Sequence, residues 1–224
     1  MHKILFPFIY LLGSASVFSA EAAINVTQFA EQDLSIWKEK SFSGYTQYAI
    51  VEQEGGSVLQ ANSSASASGL ALERKIDLLK TPYINWSWMT QTQLMGFDEL
   101  AKSGDDYSAR IYLVLDGGWQ IWKTKALNYV WSGNQPEASR WDNAFAGSNA
   151  KMIAVKGKEA ELNQWYREKR NVYKDLISAF GDKGSDKKNQ KAYRYVDVVA
   201  IMTDTDNSGQ QATAYYGDII FTAD

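Results

Sequence analysis

The loop formed by residues 204–209 carries oxygen-bearing side chains at alternate positions. Asp204, Asp206 and Ser208 occupy positions 1, 3 and 5 of the loop, and Gly209 occupies position 6. This is the spacing of the first half of a calcium-binding loop, in which alternate residues point at one centre. The twelfth position, however, is Tyr215 and not the glutamate that completes an EF-hand. A plain hairpin loop without a cofactor is therefore the favoured interpretation, and calcium is the alternative.

A second candidate group precedes a predicted strand. Asp105 and Asp106 come shortly before Arg110, so carboxylates and a guanidinium are expected to meet at one end of a sheet. A structural ion pair explains these residues. A catalytic role also explains them. The enzyme would be either a carboxylate-based hydrolase or a lyase in which Tyr107 or Tyr129 acts as the base beside Arg110. A hydrolase needs two carboxyl groups about 5 to 10 Å apart across a sugar, and sequence does not fix that distance.

Aromatic and amide side chains follow on the next predicted strand. The chain contains eight Trp and thirteen Tyr, and Trp131 and Trp141 lie near Asn128 and Arg140. Aromatic faces beside amide and guanidinium groups suit sugar recognition, because rings stack on apolar sugar faces while polar neighbours bind hydroxyls. Core packing is the favoured interpretation for Tyr129 and Trp131, which share one strand face, and sugar recognition is the alternative for Trp131.

Residue types that are missing exclude several functions. The only histidine is His2, and the chain has no cysteine. A histidine-activated serine or cysteine nucleophile is therefore excluded once the N-terminal segment is removed, as are the usual ligands of catalytic zinc and copper. With 23 basic and 26 acidic residues, the chain also lacks the positive charge typical of a nucleic-acid-binding protein.

The N-terminal segment has the features of a secretory signal peptide. Lys3 precedes an apolar run over residues 4–12, and small residues follow up to Ala22. We expect residues 1–22 to be removed and residues 23–224 to form a single β-sandwich domain that is periplasmic or secreted. No later segment approaches the roughly 20 apolar residues of a membrane helix, so we expect no membrane insertion of the mature chain.

The elements that position these residues are mainly strands. Residues 83–90 alternate strictly, which places Ile84, Trp86 and Trp88 on one face. Further short strands recur with turn residues between them, and this pattern predicts a β-sandwich or jelly roll. Apolar residues at intervals of three or four predict one substantial α-helix over residues 159–180, packed on the sheet, with Gly181 as its C-cap. Residues 184–191 are predicted to be a polar loop.

Five stretches of the chain resemble a known family. They are residues 104–112, 127–132, 170–173, 201–209 and 216–219, which include GDDY, ARIY, LNYVWS, RNVY and IMTDTDNSG. Together they resemble the bacterial secreted family named domain of unknown function 3047. The resemblance implies a galactose-binding-like jelly roll and no assigned activity. It also implies a shared role for Arg170 and Asn171 beside the aspartate motifs.

We therefore expect a non-catalytic binding module for glycan or another envelope polymer, with no nucleic-acid partner. A carbohydrate-active enzyme and an envelope scaffold are the alternatives. The candidate ligand-binding residues are Asp106, Arg110, Asn128, Trp131, Trp141, Arg170 and Asn171. The candidate metal ligands are Asp204, Asp206 and Ser208.

Overall fold

The computed structural model describes residues 23–31, 33–116 and 124–224, and two β-sheets packed face to face account for about half of them. Sheet A comprises β1 (Ile24–Asn25), β3 (Gln47–Gln53), β4 (Gly56–Ser64), β6 (Tyr83–Thr90), β11 (Tyr166–Asn171), β13 (Gln211–Tyr216) and β14 (Ile220–Thr222). Sheet B comprises β2 (Lys38–Ser43), β5 (Ala67–Asp77), β7 (Ala109–Leu115), β8 (Lys125–Trp131), β9 (Arg140–Asn143), β10 (Gly147–Lys156) and β12 (Tyr195–Asp204). The predicted signal peptide over residues 1–22 lies outside the described residues.

The strand order is that of a jelly roll. In sheet A, β4 pairs with β13, β13 with β6, and β6 with β11, all antiparallel. In sheet B, β5 pairs with β12, β12 with β7, and β7 with β8, again antiparallel. The chain crosses between the sheets at β4–β5, β5–β6 and β6–β7 and again at β11–β12 and β12–β13. These eight strands form the double Greek key of a jelly roll, so the predicted fold class is confirmed.

Aromatic side chains fill the core between the sheets. β6 spans the predicted residues, and Ile84, Trp86 and Trp88 are buried as its alternation requires. The Trp86 ring stacks on Tyr129 with a centroid separation of 5.4 Å, and the Trp88 ring meets Trp131 edge-on at 5.9 Å. Because Trp86 and Trp88 belong to sheet A and their partners to sheet B, these contacts join the two sheets.

The predicted helix over residues 159–180 is wrong in its first half. Residues 166–171 form β11, which pairs with β6 in continuous register from Tyr166 opposite Trp88 to Asn171 opposite Tyr83. Helix α1 covers only Val172–Phe180, and Gly181 follows it with a positive φ of 87°. The free edge of β6 offers hydrogen-bond partners that a helical periodicity in the sequence does not reveal.

The predicted loop over residues 184–191 is also wrong in large part. Helix α2 spans Asp186–Tyr193, and the Ser185 side chain caps it by accepting a hydrogen bond from the backbone N–H of Lys188. Among the described residues, no helix is long and apolar enough to cross a membrane.

Candidate functional site

The outer face of sheet B carries the predicted polar residues. In β7, Ala109, Ile111 and Leu113 are buried in the core, so Arg110 and Tyr112 point to the opposite face. Neighbouring strands are in register with them: Met202 of β12 lies beside Arg110, and Asn128 of β8 lies beside Tyr112. The register therefore places side chains from three adjacent strands on one surface.

Arg110 is the centre of this surface, although only 2% of its area is exposed. Its Nη2 donates to the Asp204 carboxylate at 2.7 Å and to the Asp105 carbonyl at 2.9 Å, and its Nη1 donates to the Tyr112 hydroxyl at 2.6 Å. The guanidinium also lies 4.3 Å from the centroid of the Tyr107 ring. Burial is the largest single influence and disfavours the charged form, but Asp204 together with Tyr112, Asp105 and Tyr107 outweighs it, so the pKa of Arg110 lies well above its ordinary value.

Hydrogen bonds join the two acidic groups recognised in the sequence. Asp106 is fully buried and accepts backbone N–H groups of Asn207 and Ser208 at 3.2 and 2.6 Å, which ties residues 105–106 to the loop 204–209. Asp105 accepts the Nδ2 of Asn143 at 3.0 Å with both carboxylate oxygens. These bonds hold the carboxylates in fixed orientations around Arg110.

Two carboxyl groups of the loop have raised pKa values. Burial raises the pKa of Asp204 well above its ordinary value, and the nearby Asp105 and Asp106 carboxylates add to this effect, while Arg110 opposes it. Burial also raises the pKa of Asp206, with a further contribution from the Asp106 carboxylate. The raised values reflect carboxyl groups that lie close together in a region of reduced solvent.

A cavity of about 490 Å³ opens above these groups. Its floor contains charged and amide side chains, and two exposed phenylalanines stand at its rim. Phe42 lies on β2 and Phe145 lies in the turn between β9 and β10, at opposite edges of sheet B, and they are 64% and 59% exposed. The lining residues that bear polar groups are Asp105, Arg110, Tyr112, Asn128, Asn143, Asp204, Asp206 and Asn207. We call this cavity the groove.

Polar atoms at the floor of the groove lack protein partners. Asn128 is 1% exposed, and its Nδ2 donates to the Lys151 carbonyl at 3.3 Å. Its Oδ1 is buried and accepts no hydrogen bond from the described residues, and neither the Nε of Arg110 nor the Oδ1 of Asn207 has a partner within that part of the chain. Buried polar atoms are normally hydrogen-bonded, so such atoms in a cavity wall indicate a place where a ligand can bind.

The chain matches the model of a family described as "Protein of unknown function (DUF3047)" over residues 35–220. The chain belongs to the DUF3047 family. This confirms the resemblance stated from the sequence motifs. The sequence matches none of the curated proteins.

Several solved structures resemble the DUF3047 chain in fold. A family 11 carbohydrate-binding module from Clostridium thermocellum, in complex with a β-1,3-1,4-mixed-linked tetrasaccharide, has a TM-score of 0.47 at 10% identity, with 91% of this chain and 96% of that chain covered. The cellulose induced protein Cip1 has a TM-score of 0.48 at 11% identity, with 89% and 96% covered. A cellulase derived from Cel12A of Rhodothermus marinus has a TM-score of 0.43 at 10% identity, with 83% and 100% covered. Similarity at this level carries no information about what this chain binds.

Of the predicted ligand-binding residues of the DUF3047 chain, Arg110 and Asn128 line the groove, whereas Asp106 is fully buried and accepts backbone N–H groups of the loop 204–209. Trp141 packs beside them, with its ring centroid 6.3 Å from that of Tyr107, but it does not line the cavity. Trp131 is fully buried between the sheets, where it contacts Trp88. Trp131 is therefore a core residue.

Arg170 and Asn171 also lie away from the groove. Arg170 donates to both carboxylate oxygens of Asp175, at 2.7 and 2.8 Å, beneath helix α1. The Asn171 side chain caps the same helix by accepting the backbone N–H of Lys174 at 2.9 Å. Both contacts position α1, so these residues form no part of the candidate site.

The predicted metal ligands are only partly brought together. Oxygen atoms of Asp106, Asp204 and Asp206 lie within 4.8 Å of one another. The Ser208 hydroxyl instead accepts a hydrogen bond from the backbone N–H of Gln210. Asp204 is already bonded to Arg110, and Asp106 accepts two N–H groups. Calcium takes six to eight oxygen ligands, so this donor set fits the ion only in part.

Four residues at the groove of the DUF3047 chain were missed by sequence reasoning. Tyr112 had a signal, because a residue two positions after Arg110 on a strand shares its face. Asn143, Phe42 and Phe145 had none, since they come from segments distant in sequence that the fold brings to one cavity.

Proposed function

We propose that this DUF3047 protein is a non-catalytic glycan-binding protein and that the groove on sheet B is its binding site. The observation that carries the proposal is the Asn128 Oδ1, a buried acceptor at the groove floor without a partner among the described residues. A sugar hydroxyl would donate to this atom and remove the cost of leaving it unpaired.

The rim supports the same ligand class. Phe42 and Phe145 expose more than half of their surface at opposite sides of the cavity. Exposed aromatic rings stack on the apolar faces of sugar rings, while polar groups on the floor select their hydroxyls. Ligand sites usually occupy about 300 to 1,000 Å³, and the groove volume of about 490 Å³ falls within that range.

The predicted signal peptide indicates where the protein would meet its ligand. A chain whose first 22 residues have the pattern of a signal peptide would be exported, so the glycans it meets are those of the cell envelope or the exterior. We therefore propose an envelope polysaccharide as the natural ligand of a periplasmic or secreted protein.

The contacts at the groove favour binding over catalysis. Tyr107 donates its hydroxyl to the Glu99 carbonyl, and Tyr129 donates its hydroxyl to Asp175, so neither proposed lyase base faces the groove. Tyr112 does line the groove, but burial raises its pKa, which makes its hydroxyl a poor base. A hydrolase remains the alternative, since the carboxyl groups of Asp105, Asp204 and Asp206 all line the groove.

Affinity electrophoresis through gels containing cell-wall polysaccharides or exopolysaccharides tests the proposal. We expect at least one polymer to retard the wild-type protein and the Asn128→Ala variant to migrate as it does in a plain gel. If no polymer retards the wild-type protein, glycan binding is wrong. Release of reducing ends from a retained polymer, abolished by Asp206→Asn, would replace the binding function with hydrolysis.

A further inference from the structure

We infer that the groove selects glycans without acidic groups and that its ligand acts mainly as a hydrogen-bond donor. The inference rests on the proposed function, because it names the class of glycan that the same groove accepts. It follows from counting donors and acceptors on the cavity wall.

Acceptors outnumber available donors on the groove wall. Three carboxyl groups line the cavity, from Asp105, Asp204 and Asp206, and the unpartnered amide oxygens of Asn128 and Asn207 add two more acceptors. All five offer lone pairs to a ligand, whereas the Arg110 Nε is the one buried side-chain donor without a partner among the described residues that line the groove. Sugar hydroxyls and amino groups can satisfy them as donors, whereas a carboxylate has no proton to give.

The terminal nitrogens of the side chain that would bind an acidic sugar are already bonded, and only its Nε lacks a partner among the described residues. Arg110 is the single cationic residue among the described residues that line the groove. Its two terminal nitrogens are bonded to Tyr112, to the Asp105 carbonyl and to the Asp204 carboxylate. An incoming carboxylate would therefore have to displace Asp204 from a 2.7 Å contact before it could form a two-point bond with the guanidinium.

Two lysines lie near the rim, but they are too far from the floor to offset its carboxyl groups. Lys40 lies 5.2 Å from the centroid of the Phe42 ring, and Lys102 lies 5.5 Å from that of Phe145. Neither lysine lines the groove. A uronic acid on the floor would thus face carboxylates directly and lysines only at a distance, which disfavours acidic sugars by repulsion.

A glycan array at low ionic strength tests this inference. The array carries the neutral sugar, the 2-amino sugar and the uronic acid in gluco, galacto and manno configurations at one linkage. In whichever configuration binds, we expect the neutral or amino member to bind at least about tenfold more tightly than the uronic acid. Equal or tighter binding of the uronic acid overturns the inference while leaving glycan binding intact. Absence of binding to every sugar overturns the proposed function itself, and the inference with it.

A matched pair of variants then locates the source of the selectivity. Asp206→Asn removes one negative charge from the groove wall at constant side-chain size, so we expect the uronic acid to gain about fivefold relative to the neutral sugar. Asp142 is an exposed carboxylate that pairs with Lys151 and does not line the groove, and Asp142→Asn should leave the ratio unchanged. The inference fails if both variants change the ratio alike or if Asp206→Asn leaves it unchanged.

Discussion

Two clusters of similar composition differ in how completely their hydrogen bonds are formed. The Asp175 cluster consists of Asp175, Tyr129, Arg140 and Arg170, and the Arg110 cluster consists of Arg110, Asp105, Tyr112 and Asp204. Each combines carboxylate, guanidinium and phenol groups. Residue types alone would not separate them, and both were reasonable candidates for a binding site.

The Asp175 cluster is closed. One carboxylate oxygen of Asp175 accepts from Tyr129 at 2.9 Å and from Arg170 at 2.7 Å, and the other accepts from Arg170 at 2.8 Å and Arg140 at 3.4 Å. In the Arg110 cluster, in contrast, the Nε of Arg110 and the nearby Oδ1 of Asn128 have no partner among the described residues, and both lie under a cavity. A closed network serves stability, whereas an open one beside a cavity has capacity left for a ligand.

The largest expected effect comes from breaking the closed cluster. Asp175→Ala leaves Arg170 and the buried Tyr129 hydroxyl without their carboxylate, so we expect a loss of about 3 kcal/mol in the free energy of unfolding. Urea denaturation measures this loss. Glycan affinity of the folded variant should stay at the wild-type level, and a large loss of affinity would mean that the Asp175 cluster takes part in binding.

A smaller effect is expected at the rim of the groove. Phe145→Ala removes a stacking surface, and we expect glycan affinity to fall about fivefold with little change in stability. Tyr45→Ala provides the control, since Tyr45 is also an exposed aromatic residue but does not line the groove. Titration calorimetry with a polysaccharide that retards the wild-type protein measures both affinities. An equal loss in the two variants would contradict the role of the groove rim.

A still smaller effect concerns pH. The folded-state pKa of Asp206 is raised by burial, so the fold favours its protonated form and loses stability as the pH rises through that pKa. Asp206→Asn should therefore be more stable than wild type at pH 7, by less than about 1 kcal/mol, and this advantage should vanish near pH 3, below the unfolded pKa of about 3.9.

An exposed aspartate supplies the control for the pH prediction. A hydrogen bond from Ser35 lowers the pKa of Asp33, so its ionised form stabilises the fold above the unfolded pKa. Asp33→Asn should thus have the opposite sign at pH 7. Denaturation midpoints of both variants and of the wild type, measured at both pH values, test these signs. A destabilised Asp206→Asn variant at pH 7 would contradict the raised pKa of Asp206.

The smallest expected effect is that of calcium. Arg110 already pairs with Asp204, and two N–H groups bind Asp106, so the loop has little need of a cation. We expect neither millimolar calcium nor a chelator to move the melting temperature. A calcium-dependent rise that Asp206→Asn reduces would show instead that the ion binds the native state.

Alternation along strands predicted much of the fold and part of the site. The alternation predicted strand β6 and its buried face, and it placed Arg110 on a strand that follows the aspartates. The same rule could have excluded one error: Asn128 and Trp131 are three residues apart, so they lie on opposite faces of β8 and cannot share a site. Asn128 faces the groove, and Trp131 faces the core.

The remaining errors arose from contacts between distant segments. Residues 166–171 have a helical periodicity but pair with β6, and Arg170 finds Asp175 only because that strand leads into α1. Phe42 and Phe145 are about a hundred positions apart and stand at opposite edges of sheet B, yet both line the groove. No local pattern encodes such pairings, so the rim of the site could not be predicted.

Asn128 provides the most direct test of glycan binding at the groove. Titration calorimetry with a polysaccharide that retards the wild-type protein compares Asn128→Ala with Asn85→Ala, a matched change on sheet A whose Nδ2 donates to Thr222 at 3.0 Å. We expect affinity to fall at least about tenfold in Asn128→Ala and to stay unchanged in Asn85→Ala. Wild-type affinity in a folded Asn128→Ala variant, or an equal loss in both variants, would contradict the assignment of the groove as the glycan site.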